Sequence, residues 1–278
     1  MSPRRSTSSR PFPRPTPARV EELREQMRAL EGWGAQGLRN GATALSLGIP
    51  DMDSRLPWGG LPRGALHEIF AADVDDAGAA TGFCAALAAL LLKNRPDSSG
   101  AAETPGPVLW CEGARTLDAG GLYAPGLARF RLTPEDLIAV RVTRDDDVLW
   151  AMEEGLRAGR LAAVIGELDG ISLTASRRLQ LAAEESGGTA LLLRPHSATP
   201  APSAALTRWR IAARPETSLA EKNEPGLGAA GWRAEMFRCR GGGQHAWEVE
   251  WRDETGGFTL VAPFRDGPAV PRPSRMAG

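Results

Sequence analysis

A Gly-Gly-Leu-Pro-x-Gly turn, an apolar strand, a loop and an apolar helix follow one another between Leu45 and Lys93, and no other part of the chain constrains the fold as much. The stretch opens with Leu45-Ser46-Leu47-Gly48-Ile49-Pro50 and runs through Leu56-Pro57-Trp58-Gly59-Gly60-Leu61-Pro62-Arg63-Gly64. Ala65-Leu66-His67-Glu68-Ile69-Phe70 then alternates well enough to be a strand at a sheet edge or centre. Thr81 to Lys93, with Phe83, Leu87, Leu90 and Leu91, reads as a compact buried helix. A strand that feeds a helix through such a loop is the usual frame for holding a nucleotide's phosphates.

This is the layout of a RecA-type core, in which the loop carries Gly-x-x-x-x-Gly-Lys-Ser/Thr. Here the loop is Ala71-Ala72-Asp73-Val74-Asp75-Asp76-Ala77-Gly78-Ala79-Ala80-Thr81-Gly82, without a lysine. With Gly78 as the second glycine, Ala79 takes the lysine position and Ala80 that of the magnesium-binding hydroxyl. Three aspartates stand where an anion would approach. A carboxylate ~4 Å from a phosphate costs on the order of 4 kcal/mol at an effective dielectric near 20. The segment has the outline of a phosphate cradle and the wrong chemistry for one.

The other nucleotide-handling positions are altered as well. RecA-type enzymes end their second core strand, here Pro107–Cys111, near a carboxylate that activates water. Counting back from Leu117-Asp118 places Ala114 there; Glu112, two residues earlier, is the nearest carboxylate. Leu161–Glu167 is a buried-strand pattern ending in Glu167, where a magnesium-supporting aspartate belongs, and capping of the next turn is the role expected for it. The strand Thr189–Leu193 leads into Arg194-Pro195-His196 instead of a coupling glutamine, and the DNA-binding loop that should follow is shortened to about Ser197–Ser203.

At 278 residues the chain suits one mid-sized α/β domain with appendages. Met1–Arg19, with five prolines, five arginines and no acid, is expected to be a disordered tail. Residues 20–44 hold an amphipathic helix, Val20–Leu30, whose stripe of Val20, Leu23, Met27 and Leu30 docks either on a neighbouring chain or on its own domain. Residues 45–213 form the core, 214–231 a linker, 232–264 a β-hairpin extension and 265–278 a tail. Further expected elements are a strand at Leu137–Val142, a helix after Thr143 with Asp145–Asp147 at its N-terminus, a helix at Leu173–Glu185 and a strand at Ala205–Ala213. In the hairpin, Trp232–Arg240 and His245–Trp251 flank Gly241-Gly242-Gly243, and Phe258–Val261 adds a last strand.

Cys84, Cys111 and Cys239 are widely spaced and read as reduced, buried thiols, which excludes a disulfide framework and a zinc site. A formal net charge of −1 gives no general attraction to nucleic acid. No apolar run reads as a bilayer span and no signal-peptide pattern opens the chain, so a cytoplasmic protein without membrane contact is expected.

Leu56–Phe70, Leu122-Tyr123-Ala124-Pro125-Gly126-Leu127, Leu149-Trp150-Ala151-Met152-Glu153-Glu154, Gly166-Glu167-Leu168-Asp169, Leu173–Ala182, Thr207-Arg208-Trp209-Arg210 and Arg238-Cys239-Arg240-Gly241-Gly242 together resemble the ImuA family. The resemblance covers roughly Leu45 to Phe264. It implies a RecA-like core, a mostly parallel sheet with helices on both faces and a C-terminal β-hairpin. It also implies a non-hydrolysing adaptor in damage-induced translesion mutagenesis, without cofactor or metal. Such an adaptor acts with an ImuB-like protein and an error-prone replicative-type polymerase, possible further partners being RecA, weakly held single-stranded DNA and a second copy of itself. Arg238 and Arg240 fall on the positions of two RecA lysines that reach a neighbour's nucleotide, and with Trp247, Trp251, Leu23 and Met27 they make up the expected partner-binding set. The alternatives are an active RecA-like ATPase or recombinase, which needs the phosphate loop this chain lacks, and a damage-induced cell-division inhibitor, usually a shorter protein.

Overall fold

The structure, a computed structural model, describes residues 44–94, 106–114, 120–195, 200–214 and 228–262. The tail 1–19, the Val20–Leu30 stripe with Leu23 and Met27, the Leu117-Asp118 pair, His196 and the tail 265–278 lie outside them.

Strand β1 (Ala44–Leu45) pairs with β2 (Leu61–Pro62), with helix α1 (Pro50–Arg55) between them. The main sheet contains β3 (Leu66–Ala71), β4 (Val108–Glu112), β5 (Leu137–Arg141), β6 (Ala163–Glu167), β7 (Ala190–Arg194), β8 (Thr207–Ala213), β9 (Gly231–Cys239), β10 (His245–Arg252) and β11 (Gly257–Ala262). Their spatial order is β11-β10-β9-β8-β3-β7-β6-β4-β5. Pairing is parallel from β8 through to β5 and antiparallel from β8 through β11. The strand Leu66–Ala71 therefore sits in the interior of the sheet. The C-terminal hairpin continues the same sheet through β8, and Gly257–Ala262 supplies the expected last strand.

Strands β4, β6 and β7 read as apolar runs closed by one charged residue because both their faces are covered. Helix α2 (Ala77–Lys93) packs on one face, with Phe83, Cys84, Leu87 and Leu91 buried. Helices α4 (Asp145–Ala158) and α5 (Leu173–Ser186) cover the other, burying Val148, Met152, Leu156 and Leu179. Between α2 and α4 in sequence, α3 (Ala124–Ala128) precedes β5. The α4 helix lies close to the strands because two glycines let it: a Cβ on Gly166 would come 2.2 Å from Met152 Sδ, and one on Gly155 2.4 Å from Leu109 Cδ2.

Two expectations need correction. The helix read from Thr81 begins four residues earlier, at Ala77, straight after a 3₁₀ turn at Val74–Asp76. Asp73 and Asp76, read as loop residues, lie in the turns that start it, where carboxylates suit the positive end of a helix. The Val74–Lys93 stretch, 20 residues with a mean hydropathy of 1.4, is in fact long and apolar enough to cross a bilayer by composition. Here it is the helix at the centre of the core, packed on the sheet.

An aromatic cluster fills the α2 side under β8–β11. Phe83 touches the rings of Trp209, Trp232 and Phe258, and Phe130 those of Trp232 and Trp251. Three of the cluster's buried indole N–H groups find acceptors, as burial of a tryptophan favours: Trp232 on Ala79 C=O at 2.8 Å, Trp247 on Asp51 Oδ2 at 2.9 Å, Trp251 on Arg129 C=O at 3.1 Å. Cys84, Cys111 and Cys239 are all free and buried.

Candidate site at the degenerate phosphate loop

In this fold a phosphate would lie between the end of β3 and the start of α2, held by backbone N–H groups. Four of those donors are already engaged. Ala72 N–H donates to Ile211 C=O at 2.7 Å, Val74 N–H to Asp73 Oδ1 at 2.7 Å and Asp76 N–H to Asp73 C=O at 3.0 Å. Ala77 N–H closes the 3₁₀ turn on Val74 C=O. Asp76 is buried, and its Oδ1 accepts from Ala213 N–H at the end of β8 at 2.7 Å. A built-in carboxylate thus pins the turn to the sheet. Ala79 and Ala80 follow in the first turn of α2, and the Thr81 hydroxyl donates to Ala77 C=O at 3.1 Å.

The two strand-end glutamates are tied to the fold. Glu112 is fully buried; its Oε2 accepts from Arg141 Nε at 3.0 Å and its Oε1 from Leu122 N–H at 2.7 Å. It clamps β5 and the segment before α3 to the end of β4, and both its oxygens have donors. Glu167, expected to cap the next turn, takes the indole N–H of Trp110 on Oε1 at 2.5 Å.

Beside this turn lies a pocket of about 370 Å³. Gly78, Thr81 and Gly82 of α2 form one wall and Leu122, Tyr123 and Phe130 the facing one, while Glu167 and Pro195 stand at the strand ends. Among the described residues Glu167 is the one charged member of the lining, which contains no described lysine, arginine or histidine. Tyr123 is 71% exposed at the rim. Local sequence patterns did not announce this pocket, because its two walls come from segments 40 residues apart; the notches at Gly78 and Gly82 were the available signal.

At the coupling position, Arg194 is buried, donates to Asp169 C=O at 2.5 Å and lies 4.8 Å from the centre of the Phe70 ring. Arg208 lies over the same ring at 5.1 Å and bonds Glu68. Burial pushes the Arg194 guanidinium below its ordinary pKa, with Glu68 opposing the shift and Arg208 adding to it. Neither Glu68 nor Arg208 was read as a buried ion pair from sequence: Glu68 is a single charge in an apolar run, and Arg208 alternates with Arg210 along its strand.

The expected partner-binding set is split by the fold. Arg238 is exposed and Arg240 half-buried, both near the end of β9. Trp247 and Trp251 are 2% and 1% exposed and belong to the core. Their expected place on a contact surface is corrected: alternation along β10 turns both indoles inward with Val249, and Glu248 and Glu250 take the other face.

No protein-family model matches the chain. Similar proteins are Protein ImuA of Caulobacter vibrioides strain NA1000 / CB15N and Protein ImuA of Caulobacter vibrioides strain ATCC 19089 / CIP 103742 / CB 15, each 36% identical over 243 residues that span 83% of this chain and 93% of the relative. At that identity over nearly the whole relative, the chain belongs to the ImuA family.

Proposed function

We propose that this chain is a non-hydrolysing, RecA-like adaptor of translesion mutagenesis that bridges an ImuB-like protein and an error-prone replicative-type polymerase. One observation carries the reading: the backbone donors of Ala72, Val74, Asp76 and Ala77 in the would-be phosphate loop are engaged within the fold, with Ala79 where a lysine would be needed. Family membership supplies the biological setting. With the nucleotide chemistry gone, what the fold retains is surface, and Arg238 with Arg240 is the proposed contact. A pair of guanidiniums holds carboxylates in a bidentate way that lysines do not. Calorimetry with ATP and magnesium is expected to give no binding below millimolar concentrations. A low-micromolar dissociation constant sinks the adaptor reading in favour of an ATPase, and failure to capture an ImuB-like protein in a pull-down removes the bridging role.

A further inference from the structure

The described lining of the pocket between α2 and Tyr123–Phe130 suits an apolar or aromatic group accompanied by positive charge. Its only charged member among the described residues is the Glu167 carboxylate, and the turn leading into Ala77 and Gly78 exposes Asp73 and Asp75. Its rim presents the Tyr123 ring, with Phe130 and the buried Pro195 behind. Aromatic-lined grooves are a recurring receptor for proline-rich extended segments, whose preset backbone loses little entropy on docking. Acidic residues at the edge of such a groove select arginine-bearing ligands.

The chain itself carries a segment of that chemistry: Arg10-Pro11-Phe12-Pro13-Arg14-Pro15-Thr16-Pro17. We infer that this proline- and arginine-rich segment docks in the pocket of its own chain, with Phe12 inserted between Gly78, Gly82 and the Tyr123–Phe130 wall and with Arg10 and Arg14 facing Asp73, Asp75 and Glu167. Phe12 is the one aromatic residue among the first nineteen, and five arginines accompany it without an acid. Reach sets no obstacle. Ala44 lies 32 positions after Phe12, a stretch that spans up to ~105 Å when extended; a domain of this size has a radius of gyration under about 20 Å. A tether of this kind holds the segment at an effective concentration on the order of millimolar, so weak intrinsic affinity suffices. The docked segment would shield the pocket from competing peptides, and a partner offering a better one would displace it. The inference is independent of the adaptor reading, which ATP titration tests.

The chain has a single tyrosine, Tyr123, so a ring-¹³C tyrosine label gives an NMR signal that reports on the pocket rim alone. In the full-length protein, Phe12→Ala is expected to shift that signal, and a synthetic peptide spanning Ser6–Arg19 added to this variant is expected to restore it saturably. The peptide with Arg10→Glu and Arg14→Glu binds at least about tenfold more weakly, because like charges then meet. A Cβ on Gly78 meets nothing within 4 Å, so Gly78→Leu plugs the pocket without a clash, and in the Phe12→Ala, Gly78→Leu chain the peptide is expected to have no effect. An unchanged Tyr123 signal in Phe12→Ala overturns the inference, as does equal restoration in the plugged chain. A wild-type signal that reverts on dilution means the segment docks on another copy, which overturns the same-chain assignment.

Discussion

Arg208 Nε donates to Glu68 Oε2 at 2.7 Å, and the two residues are also direct cross-strand partners on β8 and β3, buried in the middle of the sheet. Arg194 Nη1 approaches the same oxygen at 3.8 Å, so one buried carboxylate serves two buried guanidiniums. Removing its charge takes the carboxylate partner from Arg208 and part of the compensation from Arg194, which Asp169 still faces. Glu68→Gln is expected to cost about 3–5 kcal/mol in urea unfolding, and adding Arg208→Met should recover part of that loss. Strict additivity of the two substitutions would show that the pair is not coupled.

His67 gives the protein a pH dependence of known sign. Its Nε2–H donates to Pro62 C=O at 2.9 Å, so Nδ1 is the bare nitrogen and accepts from the Thr207 hydroxyl at 2.7 Å; Thr207 Oγ1 in turn accepts from Trp209 Nε1 at 2.8 Å. Burial lowers the His67 pKa from 6.5 to about 4, with the Pro62 bond opposing the shift. Between those values the unfolded chain binds the proton and the folded one does not. Stability contributed by this group is complete above pH 6.5 and falls as the pH drops towards 4, by up to about 3 kcal/mol. Denaturant unfolding at pH 7 and pH 4.5 should show this fall in wild type and a smaller one in His67→Gln. Equal falls in both would assign the pH dependence to other groups.

The split of the hairpin residues predicts two separable phenotypes. Trp247→Ala or Trp251→Ala should lower stability by about 3–5 kcal/mol, the cost of a cavity in a packed core. Arg238→Ala with Arg240→Ala should leave the melting temperature within about 2 °C, the change of a surface substitution, while weakening capture of an ImuB-like partner. Loss of partner capture by the tryptophan variants with unchanged stability would return the indoles to the surface. Undiminished binding to an ImuB-like protein, RecA and single-stranded DNA in the double arginine variant would remove Arg238 and Arg240 as contacts.

Restoring the textual motif should not restore the chemistry. Ala79→Lys with Ala80→Ser supplies both missing side chains, but the turn still uses its N–H groups internally and Asp76 still bonds Ala213. Calorimetry with ATP and magnesium is expected to remain flat for this variant. Micromolar binding would mean that the turn opens readily, and that the lost lysine alone disabled the loop.

Periodic apolar runs made most of the elements legible. Val108–Glu112, Ala163–Glu167 and Ala190–Arg194 are five-residue strands buried throughout, and each was readable within a residue or two at either end. The start of α2 was not, because Asp73–Asp76 has loop composition and is helical only by virtue of its place before an apolar helix. Hydrogen-bond bookkeeping across the chain is likewise invisible in local pattern. Glu112 looked like a spare carboxylate because Arg141 and Leu122, which hold it, lie 29 and 10 residues away. The indoles of Trp247 and Trp251 were correctly set on one face of β10, but sequence alone does not say which face meets α2.

The place of β3 between β7 and β8 has a consequence for how the chain must be made. Both neighbours of this central strand are C-terminal to it, and Glu68 meets Arg208 across 140 residues. At a synthesis rate of 5–20 residues per second, Leu66–Ala71 waits roughly 7–28 s before its last partner is made. Until then a fully apolar-flanked strand and the most hydrophobic helix of the chain have no completed sheet to cover them. Long-range parallel pairing is also the slow kind of contact to form. Fragments ending before Thr207 are therefore poor candidates for soluble expression, and a chaperone that holds the nascent chain would find its binding site in Leu66–Lys93.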